Sequence, residues 1–167
     1  MRNLVLMMML VSAPPALAAD PAPCPATPAP PPPEFAGWPK PVAQTAGTQP
    51  AGAPQLAPGR AVDLALHPSA KLRFAAMPGK PGDAGTSGGI AQIDVKRAAV
   101  YRVALAGPAW IDMVRAGKPV ASIAHGHGPA CSGIRKLVDF RLEPGRYNLQ
   151  IAGSPASRVR VMIARLP

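Results

Sequence analysis

The chain has 167 residues, 24 prolines, only seven aromatic side chains and a formal net charge of +10. That length suits one domain with an appended segment and excludes a large multi-domain enzyme. The one long apolar run lies at the extreme N-terminus, which excludes a bundle of transmembrane helices.

Residues 1–19 read MRNLVLMMMLVSAPPALAA. Arg2 supplies a positive start, residues 4–11 are an apolar stretch of eight, and Ala16-Leu17-Ala18 has the small-x-small form that precedes a cleavage point. Eight apolar residues fall short of the roughly 20 needed to cross a bilayer. The segment is expected to be a Sec-type signal peptide cut near Ala18 or Ala19, sending the chain to the periplasm or beyond. The mature chain loses Arg2 and keeps 17 basic and 8 acidic side chains, a charge of +9. Cys24 follows closely, but Asp20-Pro21-Ala22-Pro23 lacks the approach that lipid attachment requires.

Residues 20–58 hold 13 prolines in 39 positions, including four in a row at 30–33. Proline fixes φ and removes amide donors, so this segment is expected to be an extended, semi-rigid arm without a helix or central strand. Within it Glu34-Phe35-Ala36-Gly37-Trp38 carries two aromatics that need a surface to lie against. Docking of this knot on the following domain is therefore expected.

From residue 59 onward the apolar pattern has period two, with no sustained 3.6-residue repeat. Short strands are expected at 61–66, 71–75 and 89–95, with a flexible loop over 77–88. Tyr101, Val103 and Leu105 mark the next strand. Residues 110–114 and 120–123 form a hairpin through Arg115-Ala116-Gly117-Lys118. Val138, Phe140 and Leu142 are expected to pair with Ile151, Leu149 and Tyr147 in a second hairpin, turned by Glu143-Pro144-Gly145-Arg146. Val159, Val161 and Ile163 mark the last strand. The fold class is all-β: an antiparallel sandwich or jelly roll of about eight short strands over residues 59–167.

Export makes oxidised cysteine the default, and only Cys24 and Cys131 are available to pair, with free thiols or an intermolecular bridge as alternatives. The positive charge is dispersed. Arg102, Arg141, Arg158 and Arg160 occupy alternate, outward strand positions expected to be solvated, which speaks against nucleic acid as partner. An anionic envelope surface, such as lipopolysaccharide or acidic polysaccharide, fits better.

Residues 122–136, SIAHGHGPACSGIRK, concentrate the chemistry. His125 and His127 fall on one side of an extended strand, and Cys131 could add a thiolate, a donor set that suits copper or zinc. The same stretch is also an ordinary glycine-rich loop carrying one half of a disulfide, in which case Cys131 cannot bind metal. A third use is an anion site built from Arg135, Lys136 and backbone amides. No nucleophile motif occurs. Against the cupin pattern, His125 and His127 match the first two ligands, Cys131 stands at the carboxylate position, and no histidine follows residue 127.

Two resemblances follow from these residues. The order of strands from Tyr101-Arg-Val-Ala-Leu through Val138-Asp-Phe-Arg-Leu-Glu-Pro-Gly-Arg-Tyr-Asn-Leu-Gln-Ile resembles bacterial pre-peptidase C-terminal-type domains over about residues 95–163. That implies a non-catalytic β-sandwich. The run HGHGPACSGIRKLVDF behind a Cys-Pro-rich arm ending in Gly37-Trp38 resembles a small exported family of sphingomonad-type alphaproteobacteria. Some of its members bear the label homogentisate 1,2-dioxygenase, an activity that in cupins uses two His and a Glu on iron. The expected role is a non-catalytic binding or envelope-associated protein, with a copper or zinc binder and an iron dioxygenase as alternatives.

Overall fold

A computed structural model describes residues 24–25 and 29–167. The expected signal peptide and arm residues 20–23 and 26–28 lie outside the described residues. Eleven strands form a two-sheet sandwich. They are β1 (Val42–Thr45), β2 (Val62–Ala65), β3 (His67–Pro68), β4 (Ser87–Val95), β5 (Ala99–Leu105), β6 (Trp110–Arg115), β7 (Lys118–Val120), β8 (Ser122–Gly126), β9 (Lys136–Leu142), β10 (Gly145–Ser154) and β11 (Arg158–Arg165). The first sheet has the order β1-β2-β11-β5-β9-β8, the second β3-β4-β10-β6-β7. All pairings are antiparallel except β1 with β2. Among the described residues no helix is long and apolar enough to cross a membrane.

Alternation places Leu64, Val103, Leu105, Phe140, Leu142, Val161 and Ile163 of the first sheet against Ile93, Met113, Tyr147, Leu149 and Ile151 of the second, all buried. The hairpin expected across residues 143–146 is instead a crossover. β9 pairs with β5 and β8, while β10 pairs with β4 and β6. Val138, Phe140 and Leu142 thus meet the core from one sheet, and Tyr147, Leu149 and Ile151 from the other. Period-two patterning states only which face is apolar, and stacked sheets about 10 Å apart satisfy it as well as neighbouring strands do.

The hairpin of β6 and β7 forms as expected, with Ala116 and Gly117 at φ 48° and 75° in its two-residue turn. It ends early. The 120–123 strand splits, because β8 bulges between Ser122 and Ala124 and joins the other sheet, leaving Ile123 half exposed. The strand expected at 71–75 is absent. A 3₁₀ turn at Ser69–Lys71 occupies its start, and the amides beyond are used by Thr48 and Gln150.

The proline-rich segment is integrated rather than free. β1 is an edge strand of the first sheet, and Gly47 and Gln55 bridge to Ile90 and Gln92. A 3₁₀ turn at Pro33–Phe35 and the residues after it lay Phe35 and Trp38 on the outer face of the first sheet. There they bury a second cluster with Ala61, Ala104, Ile134, Met162 and Ala164. The expected docking of the aromatic knot is therefore seen.

Two of the arginines expected to be solvated are engaged at this seam. Arg102 grips Asp139 with two hydrogen bonds, at 2.7 and 2.8 Å, and reaches Glu34 at 3.1 Å. Arg160 holds Asp63 at 2.8 and 3.2 Å and lies 5.8 Å from the Trp38 ring. The Arg160 hydrogen bonds keep the Asp63 carboxyl below its ordinary range. Arg141 and Arg158 stay exposed, as expected.

Candidate functional site

The connection from β8 to β9, residues 127–135, is held at several points. Cys131, at φ 61°, is bridged to Cys24 with Cα atoms 5.5 Å apart, so the two cysteines form an intramolecular disulfide. The Ala29 amide donates to the Cys131 carbonyl at 3.2 Å, which ties the arm down beside the bridge. The Ser132 hydroxyl donates to the Pro129 carbonyl at 2.7 Å. Ile134 is buried in the outer cluster, and the Arg135 amide donates to Leu105 at 2.8 Å. His127 Nδ1 lies 2.7 Å from the Arg135 carbonyl. A carbonyl only accepts, so Nδ1 carries the proton and Nε2 is the nitrogen left for other partners.

This loop forms one wall of a solvent-open cleft of about 600 Å³ at the end of the sandwich where β5, β8 and β10 finish and β6 and β9 begin. His125, His127, Arg135 and Lys136 line it together with Lys80 and Trp110. Residue 110 is the first position of β6 and faces outward, opposite in parity to the buried Ile111 and Met113. Its indole Nε1 donates to Asp112 Oδ1 at 2.9 Å, and the second oxygen of Asp112 accepts from the Gly79 amide at 3.2 Å. The 79–82 segment crosses close above the ring, where a Cβ at Gly79 would come within 2.8 Å of the indole. At Gly82 the chain passes so near Gly153 that a Cβ would lie 2.4 Å from its Cα. These glycines bring Lys80 over the site.

The charges that line the cleft are all positive, with Asp112, bonded to the Trp110 indole, acting against them. Lys80 and Lys136 Nζ stand 5.1 and 5.0 Å from the Trp110 ring centroid, each within cation–π range. Lys136 also donates to the Ala109 carbonyl at 2.8 Å. Burial, and then the neighbouring Lys80 charge, lower the Lys136 pKa below the ordinary lysine range, against an opposing pull from Asp112. No Asp or Glu is among the described residues that line the cleft.

The expected sites therefore sort differently from one another. Arg135 and Lys136 are brought together with His125 and His127. The metal set of His125, His127 and Cys131 is not assembled: the Cys131 sulfur is in the bridge and offers no thiolate. Cys131 instead lines a separate groove with Trp38, Ser132 and Arg160. Among the described residues no group of three His, Cys, Asp or Glu side chains could hold a metal ion. His67, the third histidine, lies elsewhere and donates from Nε2 to the Ala46 carbonyl at 2.8 Å.

Sequence reasoning missed Trp110 and Lys80. Trp110 sat at a strand start with no sign of its face, and Lys80 lay in a loop expected to be flexible. Gln150, fully buried on the outer side of β10, anchors the residues just before that loop, accepting from the Ala75 and Ala76 amides and donating to the Ala76 carbonyl. Gln150 alternates with Leu149 and Ile151 just as Asn148 does, so the sequence held no signal that set it apart. Comparison with protein-family models, curated proteins and solved structures finds no match to this chain.

Proposed function

We propose that this protein is an exported, periplasmic binding module without catalytic chemistry, and that it holds an anionic ligand in the cleft around Trp110. The observation that carries the reading is the gathering of Lys80, Arg135, Lys136, His125 and His127 around one indole with no carboxylate in the lining. Cations that repel one another in a partly desolvated setting stabilise a bound anion more than dispersed surface lysines do, because the ligand relieves both the desolvation and the mutual repulsion. Export is supported by the signal-like residues 1–19 and by the Cys24–Cys131 bridge, which suits an oxidising compartment. Trp110 holds both ammonium groups within cation–π distance of one ring.

Titration of isotope-labelled mature protein with inorganic pyrophosphate, followed by amide chemical shifts, tests this. Shifts are expected at residues 80, 109–110, 126–127 and 135–136, saturating together. The double substitution Lys80→Gln, Lys136→Gln should weaken binding at least tenfold. Shifts spread evenly over all surface basic residues, or affinity unchanged in the double variant, would remove the reading.

A further inference from the structure

We infer that β8 and the cleft work together as a seat for an extended acidic peptide, which adds as a strand to the β8 edge of the first sheet and sends its carboxylates to Arg135 and Lys136. The inference rests on the anion reading of the cleft and names its ligand class. β8 is the last strand of its sheet, and all five of its residues are exposed. Its outer edge offers main-chain groups to a further strand. Both edges of the second sheet carry protection against such pairing, Lys118 and Pro119 in β7 and Pro68 in β3. β1, the other unprotected edge, lies at the far side of the first sheet from the cleft. Residues 122–126 hold no proline and no Lys, Arg, Asp or Glu. Ile123 adds an exposed apolar side chain, half of it in solvent.

The edge is continuous with the cleft, since His125 and Gly126 belong to both. A peptide lying along β8 is therefore led into the cationic group at the Gly126 end. Antiparallel addition, the commoner pairing, puts the peptide's N-terminal part there. The occupant is thus an extended segment with acidic residues preceding a β-prone run. A second copy of this chain is the poorer occupant, because each mature copy carries 17 basic and 8 acidic side chains, a formal +9, and the cleft would meet like charge.

The test is fluorescence polarisation with the full mature protein and a labelled decapeptide of four acidic residues, glycine, and five alternating valines and threonines. Binding should be salt-dependent and at least fivefold tighter than for the reversed sequence. Replacing the acids by their amides, or making Arg135→Gln, Lys136→Gln, should each weaken it at least tenfold. Backbone N-methylation at alternate residues of the β-prone run should abolish binding in one parity and change it less than twofold in the other. Equal effects of both parities would overturn strand addition. Failure of the acidic peptide while pyrophosphate still binds would overturn this inference and leave the cleft reading standing, whereas failure of both ligands would overturn both. Association of the protein with itself through β8, with no peptide bound, would also overturn it.

Discussion

The Tyr147 hydroxyl closes on the backbone of Glu143 from both sides, accepting from its amide at 3.1 Å and donating to its carbonyl at 2.8 Å. This contact sits at the corner where the chain leaves β9 for β10 in the opposite sheet. The other tyrosine repeats the offset: Tyr101 donates to the Arg97 carbonyl at 3.1 Å where β4 passes to β5, again across sheets. Both tyrosines of the chain thus lock sheet-crossing corners, each by a bond reaching four residues back. Tyr147→Phe keeps the ring's packing and removes both bonds to Glu143, together with the longer one that Arg115 donates at 3.4 Å, at a corner beside the exposed Glu143 and Pro144. The expected loss is about 1 kcal/mol by denaturant unfolding, with Tyr101→Phe losing less.

The same corner shows where sequence reading stops. Which residues face the core was legible from alternation, as Phe140, Leu149 and Val161 demonstrate. Which sheet a strand joins was not, because a hairpin and a crossover bury the same side chains, and the tyrosine bond that favours the crossover spans only four residues. The hairpin at Ala116-Gly117 was legible because β6 and β7 are joined by a two-residue turn. At the site, Arg135 and Lys136 were visible as a charged pair. Trp110 and Lys80 reach them only through the packing of residues 79–82 on Gly153 and the indole, contacts between segments about 30 to 70 positions apart.

Removing the bridge between Cys24 and Cys131 should destabilise the fold without abolishing it. The bond closes a separation of 107 residues, for which chain entropy alone suggests about 4–5 kcal/mol. Phe35, Trp38 and the Glu34–Arg102 pair continue to hold the arm, so the realised loss for Cys24→Ser, Cys131→Ser should be about 2–4 kcal/mol. Thermal unfolding gives the magnitude. Amide exchange should accelerate first at residues 29–39, and exchange rising first in the β10 core would contradict the assignment of the bridge as an anchor for the arm.

Gln150 links stability to the cleft. Gln150→Ala leaves the Ala75 and Ala76 amides and the Ala76 carbonyl without their partners on a covered sheet face. The expected cost is about 2–3 kcal/mol, near the upper range for orphaned polar groups. The segment that carries Lys80 should loosen at the same time. Pyrophosphate affinity should then fall about threefold or more in protein that remains fully folded at the assay temperature. A stability loss with unchanged affinity would detach Gln150 from the site and leave it a structural residue alone.

The last prediction concerns pH. Burial and the Lys80 charge lower the Lys136 pKa, so the folded protein releases this proton at lower pH than the unfolded chain does. The unfolded state then binds more protons in the window between the folded pKa and 10.5, and the contribution of Lys136 to stability becomes more favourable as pH rises through that window. Anion binding has the opposite sign. The ligand needs the ammonium form, so affinity should be greatest below the folded pKa of Lys136 and decline as pH climbs through it. Lys136→Arg, charged throughout, should flatten that decline. Asp112→Asn removes the one influence that raises the Lys136 pKa, and should move the decline to lower pH while keeping an acceptor for the Trp110 indole. Pyrophosphate dissociation constants measured between pH 7 and 10.5 for the three proteins decide this; coincident profiles would show that Lys136 does not carry the anion.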